Sequence, residues 1–371
     1  MPRDRGLTIP RLKIGSLDLK FPIVQGGMGV GVSRSRLASA VARAGGLGII
    51  ASVGIGAVAK GLKGDFMSAN CEVLAEEIKR AKEAANGIGA IGVNVMSAAA
   101  DSAKLMETAV KCGADALFLG AGIPRLPRSV AQLLKEGGTN CVVIVSSLRA
   151  MKLIFQLWSK HYSAVPSAVV VEGPMAGGHL GFHKDQLSDP DYALDAILPG
   201  IITEAARMEI KYDKPIPVIA AGGIFTGCDI HQILSMGARG VQMGTRFAAT
   251  VESNASDEFK QAYLNSSSQD DIVIIDSPVG LPGRAIRNQF TADVAQGLKK
   301  PFICSYRCLT PCNPKTVSYC ISKALINAMQ GDMENGFAFA GANAWRVDKI
   351  ITVDELINSL VDEFELAASN K

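Results

Sequence analysis

No stretch of this 371-residue chain stays apolar for the roughly 18 to 20 residues that cross a bilayer. The basic opening, MPRDRGLTIPRLKIG, also lacks the apolar core of a signal peptide, so a cytoplasmic protein is expected. An excess of one charge is missing too, since 38 Lys and Arg stand against 35 Asp and Glu, interspersed and leaving a net +3. That balance gathers neither nucleic acid nor an anionic membrane. There is no Gly-X-Y period, and a composition 48% apolar and 20% charged excludes disorder. Several catalytic signatures are absent: no G-x-x-x-x-G-K-[ST] loop, no H-E-x-x-H, no G-x-S-x-G elbow.

What is present is a recurring unit. Short apolar, β-branched runs ending in Gly or a polar residue occur at Pro22 to Gln25, Leu47 to Ser52, Ile91 to Met96, Ala116 to Gly120, Cys141 to Ser146, Ala168 to Glu172, Pro217 to Ala221 and Gly240 to Thr245. Near-continuous runs of this kind read as strands covered on both faces. Helical spacing fills most intervals: Arg34 to Ala44, Leu74 to Ala84, Ser102 to Lys111, Ser129 to Lys135, Leu148 to Ser159 and Ile230 to Ser235. Eight such units about 25 residues apart predict an α/β protein, a (β/α)8 TIM barrel over residues 1–295. The alternative, an open doubly wound sheet, wants a dinucleotide fingerprint after an early strand. The one G-x-G-x-x-G, Gly87, Gly89 and Gly92, precedes a strand and reads as a turn.

In such barrels the chemistry sits on the loops after the strands. The strand ends here are small and Gly-rich, as in QGGMG from Gln25, EGPMAGGHLG from Glu172, AAGGI from Ala220 and MGTRF from Met243. Gly222-Gly223 and Gly244-Thr245 follow the seventh and eighth strands, where barrels of this kind bind phosphate.

FPIVQGGMG, AGGLGIIAS, GVNVM, AGGHLGF, PVIAAGGI and GVQMGTRF, in this order between about residues 10 and 290, resemble the nitronate monooxygenase family, formerly called 2-nitropropane dioxygenase. Those are FMN-dependent TIM-barrel enzymes, and the flavin-dependent enoyl-acyl-carrier-protein reductases share the motifs. The resemblance implies that Gln25, Gly26, Gly27 and Met28 pass along the flavin ring and that Asn94 bonds near its pyrimidine edge. It implies further that Glu172, Gly177 and Gly178 reach the ribityl chain and phosphate, and that Gly222, Gly223, Gly244 and Thr245 hold the phosphate.

His179, in the AGGH motif, is the candidate catalytic residue, because imidazole serves as base, acid or anion partner near neutral pH. His183 is a second candidate at the rim, while His161 and His231 read as solvated helix positions. The family often carries an acid where Met175 stands, so this pocket edge is expected to be less polar. Gly283-Arg284 either brings a cation near the pocket or ties the downstream segment to the barrel.

Eight cysteines in a long chain without a secretion signal are expected to be free thiols or metal ligands. Cys304, Cys308, Cys312 and Cys320 crowd into 17 residues, either as thiols packing a short cap or as ligands of an Fe–S cluster or Zn. With the helical runs Ser318 to Met329 and Val353 to Ala367, residues 296–371 form an expected Cys-containing helical appendage covering one side of the pocket. Three functions remain open: oxidation of alkyl nitronates by O2, NAD(P)H-dependent enoyl-thioester reduction, and redox or metal sensing by a flavoprotein. The expected partners are a small-molecule substrate with O2 or NAD(P)H, and a homodimer is the assembly held open.

Overall fold

The computed structural model describes residues 9–60, 65–304 and 306–370. Residues 1–8 and 61–64 of the expected barrel region, Ser305 of the cysteine stretch and Lys371 lie outside the described residues. Eight parallel strands close into a barrel: β1 Ile23–Gln25, β2 Leu47–Ala51, β3 Ala90–Met96, β4 Ala116–Gly120, β5 Asn140–Val145, β6 Ala168–Glu172, β7 Val218–Ala221 and β8 Gly240–Met243. β8 returns to β1 with Val241 against Ile23, which closes the (β/α)8 barrel and excludes the open sheet.

Alternate residues of each strand serve two cores. Val24, Leu47, Ile49, Ala90, Phe118, Val142, Val170 and Ile219 fill the barrel interior, while Ile23, Ile50, Val93, Leu117, Val143, Val169 and Val241 pack on the helices. This two-sided burial is why the strands read as continuous apolar runs. An antiparallel hairpin, Leu12–Ile14 with Leu17–Leu19, adds Leu12, Ile14 and Leu19 to the interior from the strand-start side.

Helices Ser35–Arg43, Phe66–Ala85, Ser102–Lys111, Arg128–Lys135, Leu148–Tyr162, Leu194–Tyr212 and Gly227–Ser235 follow β1 through β7 in turn. Directly after β8 comes the four-residue helix Thr245–Ala248. The place in the ring is taken by the closing helix Val353–Ser369, whose Leu356, Leu360 and Phe364 join the same core. A Cβ on Gly227 would lie 2.1 Å from the Leu360 carbonyl oxygen, so this helix and Gly227–Ser235 meet backbone to backbone. The segment 296–371 therefore has two uses: its last helix completes the ring, and its earlier part spreads over the strand-end mouth. Among the described residues no helix is long and apolar enough to cross a membrane.

Candidate active site

The inward positions change character at the strand ends. Gly26 after β1, Asn94 in β3, Gly120 ending β4, Glu172 ending β6 and Gln242 in β8 take the inward positions above the interior layer that includes Val24, Phe118 and Val170. With the loops above, they line a cavity of about 310 Å³, within the usual size of a ligand site. Around it the structure brings together Gly26, Gly27, Met28, Asn94, Glu172, Gly177, Gly178, His179, Gly222, Gly223, Gly244 and Thr245.

Gln25 is a correction to the expected set. Because Val24 faces the barrel interior, Gln25 faces out and is fully buried between β1 and β2. Its amide oxygen accepts from Ile49 N at 2.8 Å and its Nε2 donates to Ser33 Oγ at 2.9 Å, so the side chain knits strands and does not face the cavity. Gln242 was missed by the sequence reading. It lies in the quoted GVQMGTRF motif at an inward position, and its buried Oε1 has no hydrogen-bond partner among the described residues.

The loop after β6 carries the titratable groups. Gly178–His179 pairs antiparallel with Pro282–Ile286, which in turn pairs with Ile272–Asp276. Arg284 is buried and donates from Nη1 to the Ala176 carbonyl at 2.7 Å and to the Pro174 carbonyl. Of its two expected roles the structural tie holds, since Arg284 does not line the cavity. His179 Nε2 lies 2.7 Å from Ser277 Oγ, and the imidazole sits edge-on to Phe339 with centroids 5.0 Å apart. Burial pushes its pKa down to about 4, which keeps the ring neutral at pH 7. The Glu172 carboxyl has no hydrogen-bond or ion-pair partner among the described residues, and burial pushes it up to about 7. His183 is exposed at the start of the turn Lys184–Leu187, His161 is exposed, and His231 packs its ring on Phe364; none lines the cavity.

At the far end, Gly222 and Gly223 take φ of +96° and +83°, a region where a side chain would be strained. Residues 339–343 cross over them as a strap. Asn343 Nδ2 donates to the Gly223 carbonyl at 2.6 Å, Gly341 N to Thr245 Oγ1 at 2.9 Å, and Ala342 N to the Met175 carbonyl at 3.0 Å. Met175, half-exposed, forms part of the cavity edge as expected. A strand-end cradle of glycines and an orphaned buried acceptor fit a flavin, whose ring offers N–H donors and whose phosphate suits closely approached backbone.

Of the two alternatives for the clustered cysteines, the Fe–S or Zn site finds no support. Among the described residues no group of three or more His, Cys, Asp or Glu side chains is placed to hold a metal ion, and all eight cysteines are free. Cys308 Sγ lies 3.0 Å from Ser322 Oγ inside an apolar cluster with Leu309, Tyr319 and Ile321. Burial pushes its thiol up to about 11 and raises those of Cys312 and Cys320. A ligand must shed its proton, and these surroundings oppose that.

A closed (β/α)8 barrel with a glycine cradle after β7 and β8 and one histidine in the cavity has the build of an enzyme that binds a phosphate-bearing cofactor. The chain belongs to the nitronate monooxygenase family, whose model, "Nitronate monooxygenase", matches residues 11–363. It is 31% identical over 286 residues to a (3aS,4S,5R,7aS)-5-hydroxy-7a-methyl-1-oxo-octahydro-1H-indene-4-carboxyl-CoA dehydrogenase of Mycobacterium tuberculosis, covering 76% of this chain and 67% of that protein. To a probable nitronate monooxygenase of Staphylococcus aureus strain Newman it is 29% identical, with 76% of this chain and 79% of the relative covered. Among solved structures it is similar to FabK from Thermotoga maritima, at 26% identity and TM-score 0.72 over 95% of each chain.

Proposed function

We propose that this protein oxidises alkyl nitronates with O2 using non-covalent FMN. The observation that carries the reading is the neutral His179, paired with Ser277 on the wall of a cavity whose other polar side chains include Glu172, Asn94 and Gln242. Bound FMN would supply the electron transfer from the nitronate to O2. The glycines at 26, 27, 177, 178, 222, 223 and 244, with Thr245 and Asn94, would hold it. Ser277 fixes one nitrogen of His179 and leaves Nδ1 without a partner among the described residues. A neutral imidazole does not bind an anion by charge; it presents a hydrogen bond to a nitro oxygen or accepts a proton from the carbon acid. The low-dielectric walls strengthen that contact.

The test is the anaerobic reductant of the purified yellow protein. Bleaching by a nitronate but not by NADH or NADPH is the expected result. Heat-released ligand should be FMN by mass spectrometry, and FAD or no flavin would overturn the cofactor assignment.

A second reading, NAD(P)H-dependent reduction of an enoyl thioester, is favoured by Glu172. Such a reduction needs a proton for the α-carbon, and a carboxyl held near neutrality at about 7 is a competent donor. Rapid bleaching by a nicotinamide, with reoxidation by crotonyl thioester, would replace the first reading by this one.

A further inference from the structure

We propose that this protein binds a hydroxylated organic phosphate in a second cavity, at the opposite end of the barrel from the strand-end mouth. The site rests on neither the cofactor nor the reaction proposed above. Its volume is about 380 Å³, the size that takes a small organic ligand. It lies where the helices Arg128–Lys135, Leu148–Tyr162 and Leu194–Tyr212 end, ahead of the starts of β5, β6 and β7.

Lys135 and Lys214 bring two ammonium groups to this cavity, and Ser159, Ser163 and Tyr212 bring three hydroxyls. No carboxylate among the described residues lines it. The polar ends of all five side chains are without a hydrogen-bond or ion-pair partner among the described residues. The acids closest in sequence do not answer the lysines: Glu209 Oε1 accepts from Ile216 N at 2.7 Å, and Glu136 and Asp213 stay outside the lining. Lys214 is half-buried, and burial holds its ammonium below its ordinary pKa. Drawing an ammonium out of water without a counter-charge costs free energy, which an anion bound beside it would offset. Two cations on one cavity suit the double charge of a phosphate monoester, held by charge-assisted hydrogen bonds. The helix ends set the rest of the ligand. The last carbonyls of a helix accept hydrogen bonds and disfavour anions. With three helices ending here, a bare anion is poorly matched, whereas hydroxyls next to the phosphate would donate to those carbonyls.

Calorimetric titration of the protein, loaded with one equivalent of FMN and freed of excess, tests this with ribose 5-phosphate, ribose and inorganic phosphate. Ribose 5-phosphate should bind about tenfold more tightly than inorganic phosphate, and ribose should give no heat of binding. Lys214→Met and Lys135→Met should each weaken ribose 5-phosphate by about tenfold or more, while Lys214→Arg keeps most of the affinity. A wild-type dissociation constant weaker than about 10 mM overturns the inference, as does inorganic phosphate binding within about twofold of ribose 5-phosphate. Binding that survives both methionine substitutions unchanged overturns it too, because the ligand would then sit elsewhere. An unchanged urea midpoint shows that the variants fold, and should Lys214→Met not fold, Lys135→Met decides alone.

Discussion

Arg284 donates from Nη1 to the carbonyl of Ala176 at 2.7 Å, so a side chain from the hairpin beyond the barrel holds the loop that presents His179. The same nitrogen serves the Pro174 carbonyl, and Arg284 is 8% exposed. Arg284→Ala would strand two buried carbonyls, at an expected cost of about 2 to 4 kcal/mol measured by urea unfolding. Arg284→Lys, a single point charge without the planar fork, should recover only part of that. A loss under about 0.5 kcal/mol for the alanine variant would mean that the loop stands without the tie.

Ser277 acts on the reaction only through His179, at 2.7 Å from Nε2. Ser277→Ala frees the ring to change tautomer and orientation, and anaerobic flavin reduction by nitronate should slow by about tenfold to a hundredfold. Ser277→Thr, which keeps the hydroxyl, should restore most of the rate. Cofactor affinity should be unchanged in both, which separates the effect from a collapsed pocket.

Gln242 carries a buried acceptor that the protein itself leaves unpaired. Gln242→Leu removes that unmet group, so the cofactor-free protein should gain about 1 kcal/mol while the affinity for FMN falls by about five- to tenfold. Thermal melts of the two forms, with a fluorescence titration of FMN, read the two signs separately. A variant that destabilises the cofactor-free protein and leaves FMN affinity unchanged would show that Gln242 has no part in holding it.

The barrel was legible because every strand is buried on both faces, and the runs around Ala116 and Ala168 match the strands residue for residue. The cavity was legible at the strand ends for the same reason: residues beyond the last apolar layer face the mouth. Gln25 and Gln242 were not, because the periodicity of two turns the first side chain outward and the second inward. Helix Leu194–Tyr212 went unpredicted because Pro199 interrupts its pattern. The long-range features were not local enough to read. Val353–Ser369 filling a place in the ring, Ser277 reaching His179, and Asn343 reaching Gly223 each join residues about a hundred or more apart. The spacing of the C-terminal cysteines carried too little information, since packing and ligation both favour clustered thiols and only burial separates them.

Glu172 and His179 share the cavity with pKa values moved in opposite senses by one cause, burial, to about 7 and about 4. From pH 4.5 to 6.5 the folded, cofactor-free protein keeps a proton on Glu172 that the unfolded chain has lost, and lacks one on His179 that the unfolded chain holds. By linkage, rising pH costs stability through Glu172 and restores it through His179, each at about 1.4 kcal/mol per unit. The two slopes cancel across that window. Glu172→Gln removes the falling arm, so its stability relative to wild type should rise by about 3 kcal/mol between those limits. His179→Gln removes the rising arm and should fall relative to wild type by a similar amount. Urea unfolding at half-unit pH intervals measures both. Difference profiles of the same sign in the two variants would mean that the carboxyl and the imidazole do not titrate as an opposed pair, and with that the neutral His179 on which the proposed chemistry rests would be lost.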